Sequence, residues 1–177
     1  TAFQKLYEAS GDEKWLTLTD TLLAYATANF QDKEHKMFYF TEHGSSDVLS
    51  KKIEVLDNVV PASNSELAIA FFKQGTLLDN ASHKSLAVTM LRNVYEKMPK
   101  YGGAYSNWGL LYLKQVHPYY EIAIVGKQSS DVLLELNNSA FIPQKVFLTS
   151  TVESEIPLLE GKFVEGQTTI YVCVNKA

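Results

Sequence analysis

Two groups of residues in this 177-residue chain have the types and spacing to do chemistry. The first is Asp57-Asn58-Val59-Val60-Pro61-Ala62-Ser63-Asn64-Ser65-Glu66, a proline-locked polar loop running into an apolar helical pattern. Asp57 has the chemistry of a general base or of an acceptor for a sugar hydroxyl. It has equally that of an Asx-type turn capping loop N–H groups. Asn64 and Ser65 fall at a helix N-terminus, where N–H groups and the dipole favour an anionic or hydroxyl-rich ligand; satisfying neighbouring loops is the alternative. Ser63 and Glu66, three apart, have the spacing of a capping box in which Ser63 is the N-cap. The second group is Glu42-His43, an adjacent acid and base on a turn that either overhangs the same mouth or is simply solvated. We therefore take Asp57, Glu42 and His43 as candidate catalytic residues. Asn64, Ser65, Tyr105 and Trp108 are candidate ligand contacts, the two aromatics suiting either a sugar face or the core.

Other chemistries find less support. His35, His83 and His117 are scattered and no pair has i, i+4 spacing, so neither a zinc site nor any cofactor is expected. Gly126-Lys127 with Ser129 lacks the upstream glycine of a phosphate loop. Cys173, the single cysteine, lies in an apolar strand pattern as a small hydrophobe. No disulfide can form within the chain, which suits a reducing, cytoplasmic setting. Net charge is −4 and no basic run exceeds Lys51-Lys52, which argues against nucleic acid and against an anionic membrane surface. No apolar stretch approaches the roughly 20 residues that span a bilayer, and the first residues carry no signal-peptide pattern.

The elements that must position these groups are mostly helical. Phe3, Leu6 and Tyr7 form an i, i+3, i+4 stripe ending at Ser10-Gly11-Asp12, with Gly11 suited to C′ and Asp12 to the next N-cap. Trp15, Leu18, Leu22, Leu23, Ala26 and Phe30 then mark the buried side of a second helix. From Gln31 to Glu54 the period breaks. Met37 to Thr41, Val48-Leu49 and Ile53 to Val55 are β-prone, with turn chemistry over residues 42–47. A second helical hairpin is expected from about 64 to 78 and about 82 to 98, with Leu67, Ala68, Phe71, Phe72 and Gly75 on the first buried face. It repeats the first hairpin weakly at a spacing of about 66 residues. A fifth helix from about 103 to 115 stops at Pro118. Beyond it, Glu121 to Val125 closing on Gly126, a helix capped by Ser129, Lys145 to Thr149 and Thr168 to Val174 predict a small tail of about three parallel strands. The division is thus a helical part, 1–118, and an α/β tail, 119–177. With 46% hydrophobic and 12% aromatic residues, chiefly 10 Tyr and 9 Phe, contacts should be aromatic-lined.

Asp57-x-x-x-Pro61-x-Ser63-Asn64-Ser65, following Phe38-Tyr39-Phe40-Thr41, resembles the signature of thioredoxin-domain proteins of the spermatogenesis-associated type and their bacterial relatives. Leu6 to Asp12, Glu121 to Gly126 and Tyr171-Val172-Cys173 continue the resemblance in the family's order over nearly the whole chain. It departs at Ala62-Ser63, where the family has Ser-Gly, and at Lys51, where an arginine often stands; lysine lacks arginine's bidentate fork. The resemblance implies a partial α/α-toroid, related to six-hairpin glycosidases and sugar epimerases, without the family's thioredoxin domain. The chain also opens on Thr1-Ala2-Phe3 within a helical pattern, so it reads as an excised piece. Two functions follow as expectations. One is a toroid cavity that binds a sugar or polyol, with isomerase or hydrolase chemistry. The other is a non-catalytic scaffold that presents a client to the thioredoxin domain. Either way, helix faces at the cut should be open, available to the rest of the parent protein or to self-association.

Overall fold

The computed structural model describes residues 1–45, 51–139 and 141–175. Two helical hairpins come first: α1 (Ala2–Ser10) with α2 (Lys14–Phe30), then α3 (Ser63–Leu77) with α4 (Ala81–Tyr95). Two 3₁₀ turns, Met98–Lys100 and Gly102–Tyr105, lead into α5 (Ser106–Val116). The tail is β1 (Tyr120–Val125), α6 (Ser129–Ser139), β2 (Lys145–Ser150) and β3 (Thr169–Val174). The chain is therefore mainly helical, with one small mixed sheet.

α1 ends as its sequence dictates. Gly11 takes φ 68° and its N–H closes on the Tyr7 carbonyl. Asp12 Oδ1 then accepts the Lys14 N–H at 3.1 Å, although the N-cap position itself falls on Glu13. The buried side of α2 matches the expected one at Leu23, which is buried, and at Trp15, Ala26 and Phe30, which pack against the core, and departs from it at two positions. Leu16, Thr19 and Leu23 are buried, whereas Leu18 and Leu22 face solvent at 42% and 55% exposure. Trp15 stacks on Phe3 at 5.4 Å between ring centroids, which turns the helix toward α1 by its neighbouring face. Of the β-prone segment, single antiparallel bridges form at Gln31–Phe38 and Tyr39–Ile53. The expected strand at Val48-Leu49, and Ser46-Asp47 of the turn, lie outside the described residues.

α3 is the central helix, with eleven of its fifteen residues buried. Its start corrects the expected capping box: Ala62 is the N-cap and Ser63 is already helical, making no cap hydrogen bond. Glu66 reaches the Thr1 hydroxyl at 3.0 Å instead of its own helix end. α4 starts where expected, with Asn80 as its N-cap; the Asn80 side chain accepts from the Ser82 and His83 N–H groups at 3.0 and 3.1 Å. The α3–α4 turn is tight because Gly75 lies against it. A Cβ there would sit 2.8 Å from the Lys84 nitrogen and 2.9 Å from the Asn80 carbonyl oxygen, both backbone atoms of the first turn of α4. Gly75→Ala should therefore lose stability by about 2 kcal/mol in urea unfolding, despite alanine's higher helix propensity of roughly 1 kcal/mol. An unchanged or raised midpoint would contradict that close approach.

The sheet order is β2-β1-β3. β1 and β2 pair in parallel through the α6 crossover, as expected for β-helix-β. β3 corrects the expectation of an all-parallel sheet, because it runs antiparallel to β1. The cause is the connection. Val125 pairs with both Ser150 and Thr169, so the chain leaves β2 and enters β3 at the same end of the sheet and must run back. No helical crossover carries it across; Ile156, Leu158 and Leu159 of the irregular segment 151–168 are buried instead. Period-two alternation divides the central strand between two cores. Ala123 and Val125 join Tyr7, Phe71, Trp108, Val146 and Leu148 in the main cluster, while Ile122, Ile124 and Phe147 pack on Leu133 of α6. Helices and tail thus share a hydrophobic cluster.

Candidate functional site

The polar signature around Pro61 folds into a knot where the N-termini of α3 and α5 meet. Asp57 lies in it, 6% exposed. Its Oδ1 accepts the Ala62 N–H at 3.0 Å, the Ser65 hydroxyl at 2.7 Å and the Asn107 side-chain amide at 3.1 Å. Oδ2 accepts the Asn107 backbone N–H, in the first turn of α5, at 2.9 Å. Three donors of the chain itself thus crowd Oδ1 and one reaches Oδ2, so the carboxylate is held chiefly through Oδ1. The positive ends of two helix dipoles therefore converge on one negative charge. Burial alone would push this carboxyl up. The Ser65 hydroxyl, the Ala62 N–H and the two Asn107 donors outweigh burial and hold it below the ordinary carboxylate value.

The neighbouring polar residues are equally occupied. Asn64 is fully buried; its Oδ1 accepts the Phe38 N–H at 2.7 Å and its amide donates to the Phe38 and Glu54 carbonyls at 2.8 and 2.9 Å. Ser65, also fully buried, lies 2.9 Å from the Ala62 carbonyl, but its one proton belongs with the charged Asp57 acceptor. The Trp108 indole N–H donates to the Val55 carbonyl at 2.8 Å, and the Asp57 N–H to the Ala104 carbonyl at 2.8 Å. Trp108 and Tyr105 belong to the core rather than to an open face. Together these bonds stitch the segment 53–62 to α3 on one side and to α5 on the other. The structure thus joins Asp57 to Ser65 directly and ties Asn64 and Trp108 to the same segment through the Glu54 and Val55 carbonyls, while Tyr105 is buried in the core.

Glu42 and His43 lie apart from this knot. The Tyr25 hydroxyl donates to Glu42 at 3.3 Å, and His43 Nε2 is 3.1 Å from the Gln31 carbonyl. His43 Nδ1 is 3.3 Å from the Lys51 ammonium, itself over the Tyr39 ring. Glu42 and His43 are themselves exposed, beside the end of α2. A hollow of ≈ 550 Å³ does open near the signature, lined by residues 52–56 and 58–61. Asp57 is missing from that lining although both its chain neighbours belong to it, so its carboxylate serves the interior.

Sequence reasoning missed two other charged groupings, because their members are far apart in the chain. Glu8 of α1 pairs with Lys73 of α3, and Asp20 of α2 faces His83 of α4 at 3.9 Å. Neither has a local spacing signal. Among the described residues no three His, Cys, Asp or Glu side chains converge to hold a metal ion. Nor is any helix among them long and apolar enough to cross a membrane. Cys173 sits on β3 at the sheet edge, half-buried, with the Lys162 ammonium 4.0 Å from its sulfur. No protein-family model matches the chain, and no curated protein matches it.

Proposed function

We propose that this chain is a section of an α/α-toroid protein of the thioredoxin-domain type, serving as a non-catalytic scaffold for docking further helices and a client. The observation that supports this reading most is the burial of Asp57 among four hydrogen-bond donors of its own chain. A general base or sugar-hydroxyl acceptor needs a lone pair within reach of substrate, whereas this carboxylate is 6% exposed and already accepts four hydrogen bonds from Ala62, Ser65 and Asn107. The signature is then what closes the long loop onto α3 and α5.

Open apolar faces fit the same reading. Leu18, Leu22 and Tyr25 form an exposed stripe on α2, with Tyr25 54% exposed. Leu110, Leu113 and Val116 form another on α5. In a row of hairpins such stripes are where the next hairpin packs. The chain alone should accordingly self-associate reversibly in sedimentation velocity. Leu18→Asp with Leu22→Asp should leave it monomeric with an unchanged helical circular dichroism spectrum. A chain that stays monomeric at every accessible concentration would count against the scaffold.

A further inference from the structure

A second cavity, of ≈ 420 Å³, opens between α1, the end of α5 and the junction of α6 with β2. Its charged lining is Lys5, Glu8, Lys114 and Lys145, joined by the amides of Asn137 and Gln144. Glu8 is already committed. Its Oε2 holds the buried Lys73 ammonium and lies 3.2 Å from Lys5, and its Oε1 accepts the Phe147 N–H at 3.2 Å. The one carboxylate of the lining is thus already engaged by Lys5 and Lys73, in a chain whose net charge is −4.

Lys114 and Lys145 form no salt bridge with any carboxylate among the described residues. The Lys114 ammonium reaches the Gln144 side-chain oxygen at 3.5 Å and lies 4.9 Å from the centre of the Tyr119 ring. Lys145 lies over the Phe147 ring at 4.8 Å. Burial, then repulsion from Lys5, lowers the Lys114 ammonium from its ordinary value, with Glu8 opposing. Like charges gathered in a concavity whose one carboxylate is already paired with Lys5 and Lys73 are unfavourable until an anion enters.

We propose that this cavity binds the phosphate group of a small phosphorylated molecule, with Lys114 and Lys145 as its principal charge partners. Lysine serves phosphate as a point charge. Lys5 at the rim adds a third positive charge, and the Asn137 and Gln144 amides supply donors for the remaining oxygens. The volume lies within the range of small-molecule sites and is too small for an extended polyanion. The acidic balance of the rest of the chain likewise disfavours a nucleic acid.

The test uses the full chain and two probes, inorganic phosphate and pyrophosphate, titrated at constant ionic strength by calorimetry. Pyrophosphate should bind saturably with one site, more tightly than phosphate, and chloride should not mimic either. Lys114→Gln with Lys145→Gln should weaken pyrophosphate at least about tenfold, with the unliganded melting temperature little changed. Amide shifts on adding pyrophosphate should centre on Gln144, Lys145 and Phe147; this mapping in the unsubstituted chain stands even if the double variant folds poorly. Absence of saturable binding, equal affinity in the double variant, or shifts centred elsewhere would each overturn the site.

Discussion

Asp57→Asn is expected to lower the unfolding free energy by about 3 kcal/mol, the range for leaving buried donors facing a partner that no longer accepts them. An amide offers one acceptor oxygen and two donor hydrogens. The Asn107 N–H on one oxygen and the Ala62, Ser65 and Asn107 donors on the other cannot all be satisfied by it. The charge that both helix N-termini share would be lost as well. The wild-type carboxyl is held below its ordinary value, so the unfolded state binds a proton first as pH falls. Its stabilisation is complete above the unfolded carboxylate value and is lost as pH drops through the folded one. Chemical denaturation should thus show the gap between wild type and Asp57→Asn closing in acid. A gap that stays constant with pH, or a variant as stable as wild type at neutrality, would refute this role.

Glu8→Gln is expected to cost about 3–5 kcal/mol, because it leaves the Lys73 ammonium buried without its counter-charge. Lys73 is only 8% exposed and sits among the packed residues of α3. Burial already lowers this ammonium, with Glu8 as the main opposing influence. Without Glu8 the folded value falls further below the unfolded one. The unfolded chain then binds more protons between the two values, so the variant should gain stability as pH rises through that window. Adding Lys73→Met should recover most of the loss at neutral pH, since it removes the stranded charge. Additive losses in the double variant would mean that the two side chains do not depend on each other.

The parts of the fold readable from sequence were those carried by local signals. Gly11 marks the end of α1 through its left-handed backbone, and the apolar spacing after Pro61 marks α3. β1 was legible as a buried strand because Ile122 to Val125 faces packed layers on both sides. What escaped depends on distant partners. The direction of β3 is set by where segment 151–168 travels, which no run of residues within β3 encodes. The exposed Leu18 and Leu22 imitate a buried face, since an apolar stripe reads alike whether or not its partner helix is present. At the site, Asp57, Asn64 and Ser65 stand within one short stretch of sequence, and Asp57 and Ser65 bond to each other. That stretch carries no sign of Asn107, fifty positions on, whose backbone and side-chain N–H groups tie the carboxylate to α5.

The central claim, that Asp57 fastens two helices instead of handling a substrate proton, is tested most directly by titrating its carboxyl carbon by NMR. A fastening accepting four hydrogen bonds should titrate below the ordinary carboxylate value, with the Ala62 and Asn107 amide resonances moving at the same midpoint. A general base must titrate near its working pH. A midpoint at or above the ordinary value, with those amides unmoved, would contradict the account.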